Sequence, residues 1–146
     1  MDYKKLGGTI YARFDKGDEI VSGILDICKK EKILSATYSG IGGCGDVTVA
    51  TLMPETNEFM NHHKSATMLE MISLNGNIST EDNDNIEHHT HAMFSYLNKN
   101  GEQQFIGGHL MKAVVLYTAE IVINPVKDGI IRRMKDDKSG IIVWKF

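Results

Sequence analysis

The chain has 146 residues, of which 42% are hydrophobic and 24% charged; this is the make-up of one ordinary globular domain, and it excludes a disordered or fibrous chain. Sixteen Lys and Arg stand against nineteen Asp and Glu, a net charge of -3, so no bulk positive charge calls for a nucleic-acid partner. At this length a folded chain buries roughly two-thirds of the surface its unfolded form exposes and needs no covalent staples.

The opening segment, MDYKKLGGTIYARF, lacks the apolar core of roughly 7–15 residues that an export signal needs. No run of about 18 apolar residues offers a membrane span. The expectation is a cytoplasmic, reducing location with no membrane contact. Within that segment Gly8–Phe14 mixes β-branched and aromatic residues as a strand does. Asp15-Lys16-Gly17-Asp18 then forms a turn from which a helix over about 17–31 is expected, with Asp15 as its cap. Ile20, Val21, Ile24, Leu25, Ile27 and Cys28 recur at helical spacing, and Lys29, Lys30 and Lys32 complement the negative end of the helix. Cys28, on that apolar stripe, reads as a small buried hydrophobe.

The remainder reads mostly as strands. Ile33–Ser39 leads into a glycine-rich loop, Gly40-Ile41-Gly42-Gly43-Cys44-Gly45, which is followed by a strand over Asp46–Met53. A dinucleotide fingerprint would open a helix after such glycines, and none follows. The glycines are therefore expected to permit close strand packing, and Cys44 to sit exposed in the loop as a free thiol. Pro54–Asn57 turns the chain into Glu58–His63, after which come Thr67–Ile78, Glu87–Leu97, Gln104–Ile106, Ala113–Ile123 and Ile141–Phe146. The whole of residues 1–146 is expected to be a single α+β domain, one helix with a large antiparallel or mixed sheet.

Six histidines occur, at positions 62, 63, 88, 89, 91 and 109. Residues two apart in a strand share a face, so His89 and His91 stand side by side, able to give one divalent ion two nitrogens at ~2.0–2.1 Å. His109 follows Gly107-Gly108 and could add a third if the Gln104–Ile106 hairpin folds back beside Glu87–Leu97. Three protein ligands with an open fourth position is the arrangement of catalytic zinc. His88, on the opposite face, and His62 and His63 read as surface or packing residues. Glu70 shares a strand face with Met68, Ile72 and Leu74. A carboxylate there either meets a cation or a metal-bound histidine, as second shell or acid–base group, or lies near water at a strand end. Arg13 is a candidate partner, and Glu120 raises the same question. The run Ala113, Val115, Tyr117, Ala119, Ile121, Ile123 puts one apolar face toward a core or a subunit interface. Lys127, Arg132, Arg133, Lys135 and Lys138 form the densest basic cluster, diluted by Asp128, Asp136 and Asp137. It reads as a solvated strand-and-turn surface.

Five segments in order resemble the plants-and-prokaryotes conserved (PPC) domain family. They are Arg13-Phe14-Asp15-Lys16-Gly17-Asp18-Glu19-Ile20, Ser39-Gly40-Ile41-Gly42 followed by Asp46-Val47-Thr48, Glu70 to Ile78, His89-Thr90-His91, and Gly107-Gly108-His109-Leu110. The resemblance implies a compact α+β domain that assembles as a homotrimer, with His89, His91 and His109 as a metal-binding unit and zinc as the first choice of ion. It also implies an association with DNA or a transcription factor, because plant members join this domain to AT-hooks. No Arg-Gly-Arg-Pro segment occurs here, and Arg132-Arg133 is followed by Met134, so any DNA contact would proceed without an AT-hook. The alternative is a metal-dependent small-molecule-binding protein or enzyme that uses the open coordination position.

Overall fold

Along Thr9–Asp15 (β2) apolar residues alternate, and Ile10, Ala12 and Phe14 turn inward while Tyr11 and Arg13 face out. The computed structural model describes all residues from Met1 to Phe146. In it β2 pairs with Asp2–Leu6 (β1) as a hairpin. A single helix, Ile20–Lys30 (α1), follows, and then four long strands: Ala36–Met53 (β3), Glu58–Thr80 (β4), Ile86–Leu97 (β5) and Gln103–Pro125 (β6). A short hairpin, Arg132–Lys135 (β7) and Ile142–Lys145 (β8), ends the chain. The domain is mostly β, and its one helix is neither long nor apolar enough to cross a membrane.

The four long strands pair in a closed cycle. β3 pairs with β4, β4 with β5, β5 with β6, and β6 returns to β3, all antiparallel. Closure removes the free edges that a sheet of such long strands would otherwise present. β2 extends the sheet on β6, and β7 joins β4 in parallel through Thr80 and Arg132. Helix α1 packs against β5 and β6. Ile20, Ile24, Ile27 and Cys28 are sealed in one core with Phe14, Leu69, Met71, Phe94 and Leu110, each large side chain contributing about 1.5–3 kcal/mol by leaving water.

The helix begins later than its charge pattern predicts. Glu19, not Asp15, is the N-cap: its carboxylate accepts from the Val21 and Ser22 amides at 3.3 and 2.7 Å. The same carboxylate accepts from the Ala113 amide of β6 at 3.0 Å, so one side chain starts the helix and fastens it to the sheet. Asp15 instead closes β2 and, with Asp18, holds the terminal amine.

The glycine-rich segment is strand, not loop. β3 runs through Gly40–Gly45 with irregularities between Gly40 and Gly42 and between Cys44 and Asp46. Close packing is what the glycines provide, since a Cβ on Gly42 would lie 2.5 Å from Ala119 Cα and 2.7 Å from the Thr118 carbonyl. Cys44 is consequently buried at 0% exposure rather than displayed, and burial pushes its thiol up to about 12, as it does for Cys28. Neither thiol is poised as a nucleophile. The segments expected separately at Gln104–Ile106 and Ala113–Ile123 are one continuous strand, β6. Its register against β3 shifts around Gly42 and Cys44. Tyr117 is thereby turned out at 69% exposure, while Ala113, Val115, Ala119, Ile121 and Ile123 go into the core.

Replacing Gly42 with Val should cost about 1–3 kcal/mol, because β3 cannot withdraw from β6 without opening the ring. Urea unfolding would measure it, and a variant as stable as the parent would show that the two backbones are free to part.

Candidate metal centre

His89 and His91 stand two residues apart on β5, and the β5–β6 register sets His91 directly across from His109. The three rings close a triangle with centroid separations of 5.2, 5.2 and 5.5 Å. One ring nitrogen from each lies within 4.8 Å of the other two. Nitrogens bound to one tetrahedral ion sit about 3.3 Å apart, so small side-chain rotations bring the three to a common point. His109 is not beyond a turn, as its glycines suggest, but inside β6. Its other strand neighbour is Ala50 of β3, and a Cβ on Gly108 would lie 2.6 Å from the Ala50 carbonyl. The glycine therefore lets three strands converge beneath the histidine.

Burial, then the charges of His89 and His91, hold the His109 imidazole down at about 4. Burial and then His91 and Arg133 lower His89. Two of the three rings are thus biased toward the neutral form that a metal requires. His88, on the inward side of β5, is half-buried yet also lines the site, its ring 6.5 Å from that of His109, and burial is the chief cause that lowers its pKa. Its Nδ1 lies 2.8 Å from Thr90 Oγ1, which is also bonded to the Tyr38 hydroxyl. This buried polar chain fixes the floor of β5 below the triangle.

The triangle opens into a cavity of about 700 Å³. Phe59 packs on the His109 ring at 5.1 Å, and Leu52, Ile141 and Ile142 supply further apolar wall, with Glu87 and Arg133 as the charged groups. Glu87 shares the β5 face of His89 and His91 by the same period of two, whereas Phe59 and Arg133 have no sequence signal that joins them to the histidines. These two arrive from β4 and β7, and only the pairing order brings them to the site.

Glu70 and Arg13 lie elsewhere. On β4 the residues opposite His91 and His89 are Asn75 and Asn77, whereas Glu70 faces Ser95, roughly 15 Å back along the strand at ~3.3 Å per residue. Glu70 is exposed because β4 slips register between Met71 and Ser73. Leu69, Met71 and Leu74 then fall inside, and the apolar face expected for Met68, Glu70, Ile72 and Leu74 does not exist. Arg13 is bonded to Asp15 at 2.9 Å. With Glu120, also exposed, it lines a separate shallow depression beside Tyr11, Ile41 and Ile72. His62 and His63 are surface residues, the latter 2.9 Å from Asp46. The basic cluster is divided by strand alternation. Arg132 is bonded to Asp84 and the Glu81 carbonyl at 2.9 and 2.7 Å, while Arg133 turns to the histidine cavity.

A closed β ring carrying a three-histidine cavity is the class of structure defined so far. The Plants and Prokaryotes Conserved (PCC) domain matches residues 1–127, and the chain belongs to that family. It is similar to the plant- and prokaryote-conserved protein of Pyrococcus horikoshii, with 32% identity and a TM-score of 0.81 over 99% of this chain and 95% of that one. It is similar also to a metal-containing protein of Archaeoglobus fulgidus (26%, TM-score 0.83, 99% and 97% covered). A protein of Bacteroides thetaiotaomicron whose name marks it as a candidate DNA-binding protein is similar at 26% and a TM-score of 0.85 (99% and 96% covered). No functionally curated protein matches the sequence.

The depressed His109 pKa has a sign that can be checked on metal-free protein. An unfolded histidine titrates near 6.5 and the folded one at about 4. The unfolded chain takes the proton first, and stability is lost as pH falls through that window. The urea midpoint should drop between about pH 7 and pH 4 less steeply in His109→Gln than in the parent. Equal slopes would show that His109 is not the source.

Proposed function

We propose that residues 1–146 act as one domain that holds a divalent metal ion on His89, His91 and His109 and uses the adjoining cavity to bind a small molecule. The observation that carries this reading is the meeting of three imidazoles, within 4.8 Å, at the end of an apolar-walled cavity. Zinc is the first choice, because three neutral nitrogen donors with one position left over suit it. The name of the Archaeoglobus protein supports a metal in this fold. Bound there, the ion supplies a Lewis-acidic centre for a ligand oxygen. The chain's own part is to keep His109 and His89 neutral, to fix the rings by strand pairing, and to wall the ligand with Phe59 and Leu52.

The assembly proposed is a homotrimer, as the family resemblance implies. Its interface is the outer sheet face, where Tyr11, Ile41, Ile72 and Tyr117 stand exposed; an apolar patch of this kind on a soluble chain favours a subunit contact. DNA is the second partner considered, supported by the name of the Bacteroides relative. Against a strong electrostatic contact stand the net charge of -3 and the division of Arg132 from Arg133.

Elemental analysis of tag-free protein should find about one zinc per chain, the occupancy of a single four-coordinate site, and almost none in His91→Ala. Absence of metal after zinc reconstitution would sink the site. In sedimentation equilibrium the parent should weigh three chains and Ile41→Asp fewer; a monomeric parent would exclude the trimer. Binding to a fluorescent duplex that survives raised salt would restore the DNA reading as the main one.

A further inference from the structure

The C-terminal hairpin, β7 and β8, lies beyond residue 127, where the family match ends. It nonetheless forms one wall of the histidine cavity, through Arg133, Ile141 and Ile142. Strand alternation in β7 gives its two arginines different fates. Arg132 is spent on Asp84 and the Glu81 carbonyl. Arg133 is half-buried, faces the histidines, and makes neither a hydrogen bond nor an ion pair within the chain. Glu87 lines the same cavity without closing a bridge to it. A half-buried guanidinium left without an anion retains five donors in a planar fork, the geometry that matches a carboxylate.

We infer that the cavity recognises a small organic carboxylate, whose anionic end is held by Arg133 beside His89, His91 and His109 and whose apolar body lies against Phe59, Leu52 and Ile142. This rests on the metal-centre reading above and names the ligand class for it. The apolar walls decide against a bare inorganic anion, which would gain nothing from Phe59 or Ile142. Arg133 is the one Lys or Arg lining the cavity, and beside a single metal ion it supplies too few donors for the several charges of a polyphosphate. Glu87 sets the selectivity: it repels a second negative charge on the ligand, so monocarboxylates are preferred to dicarboxylates.

The test uses cobalt(II)-loaded protein, full chain, titrated with benzoate and followed both by visible absorption and by calorimetry. Benzamide, the neutral isostere, and inorganic phosphate are run beside it. Benzoate should perturb the cobalt bands and bind, while benzamide and phosphate should not at equal concentration. Arg133→Gln should weaken benzoate roughly tenfold or more, the loss expected when a charge-assisted pair is removed, with cobalt content unchanged. Arg133→Lys should keep part of the affinity, and Glu87→Gln should raise it. Cobalt content on the same samples separates the two ways of failing. A parent chain that takes up no cobalt overturns the metal centre, and the carboxylate site with it. A loaded chain that ignores benzoate, or an Arg133→Gln and Arg133→Lys pair that bind it like the parent, overturns the carboxylate site alone. Tighter binding of phosphate than of benzoate also overturns it, in favour of an inorganic oxyanion.

Discussion

The antiparallel pairing of β5 with β6, in register at His91 and His109, is the constraint on which the site depends. Two of the histidines are close because a strand repeats every second residue; the third is close only because this register is kept. A slip of one residue would carry His109 to the far side of β6 and turn Leu110 outward with it. The buried residues Ala92, Phe94 and Leu110 therefore protect the metal centre indirectly, since a one-residue slip would expose them. Core packing and site geometry are two consequences of the same pairing.

Closure of the ring makes that register rigid. β6 is held by β5 over Gln103–His109 and by β3 from His109 to Pro125, so it cannot shift against one without breaking the other. Gly40 and Gly42 of β3 and Gly108 of β6 belong to this requirement: each lies where a side chain would force neighbouring backbones apart. Glu19 adds a clasp, capping α1 while accepting from the Ala113 amide. The helix and the ring are thus joined through backbone groups that would otherwise be unsatisfied.

Charge is distributed by the same alternation. A basic cluster that is contiguous in sequence becomes, in β7, one arginine tied to Asp84 and another committed to the cavity. The acidic balance of the chain and this division leave the family's association with DNA without a ready electrostatic surface on the single chain. They leave the cavity, by contrast, with a cation, three clustered imidazoles and apolar walls.

The sequence by itself determined the local quantities. Period-two alternation located β2, β5 and the inward face of β2, helical spacing located α1, and the ordered motifs from Arg13 to Leu110 carried the family. The His89 and His91 pair was legible because both members lie on one strand. What only the tertiary structure decided depends on residues far apart in the chain. The slips in β3, β4 and β6 cannot be read from local pattern, because a bulge arises where two strands must match, and it either reverses the facing beyond it, as in β4, or turns out the residues within it, as at Tyr117. For that reason Glu70 and Tyr117 face water, and Cys44 is sealed in the core. Phe59 and Arg133 join the histidines from positions up to 50 residues away in the chain, and no short-range signal encodes a meeting at that distance.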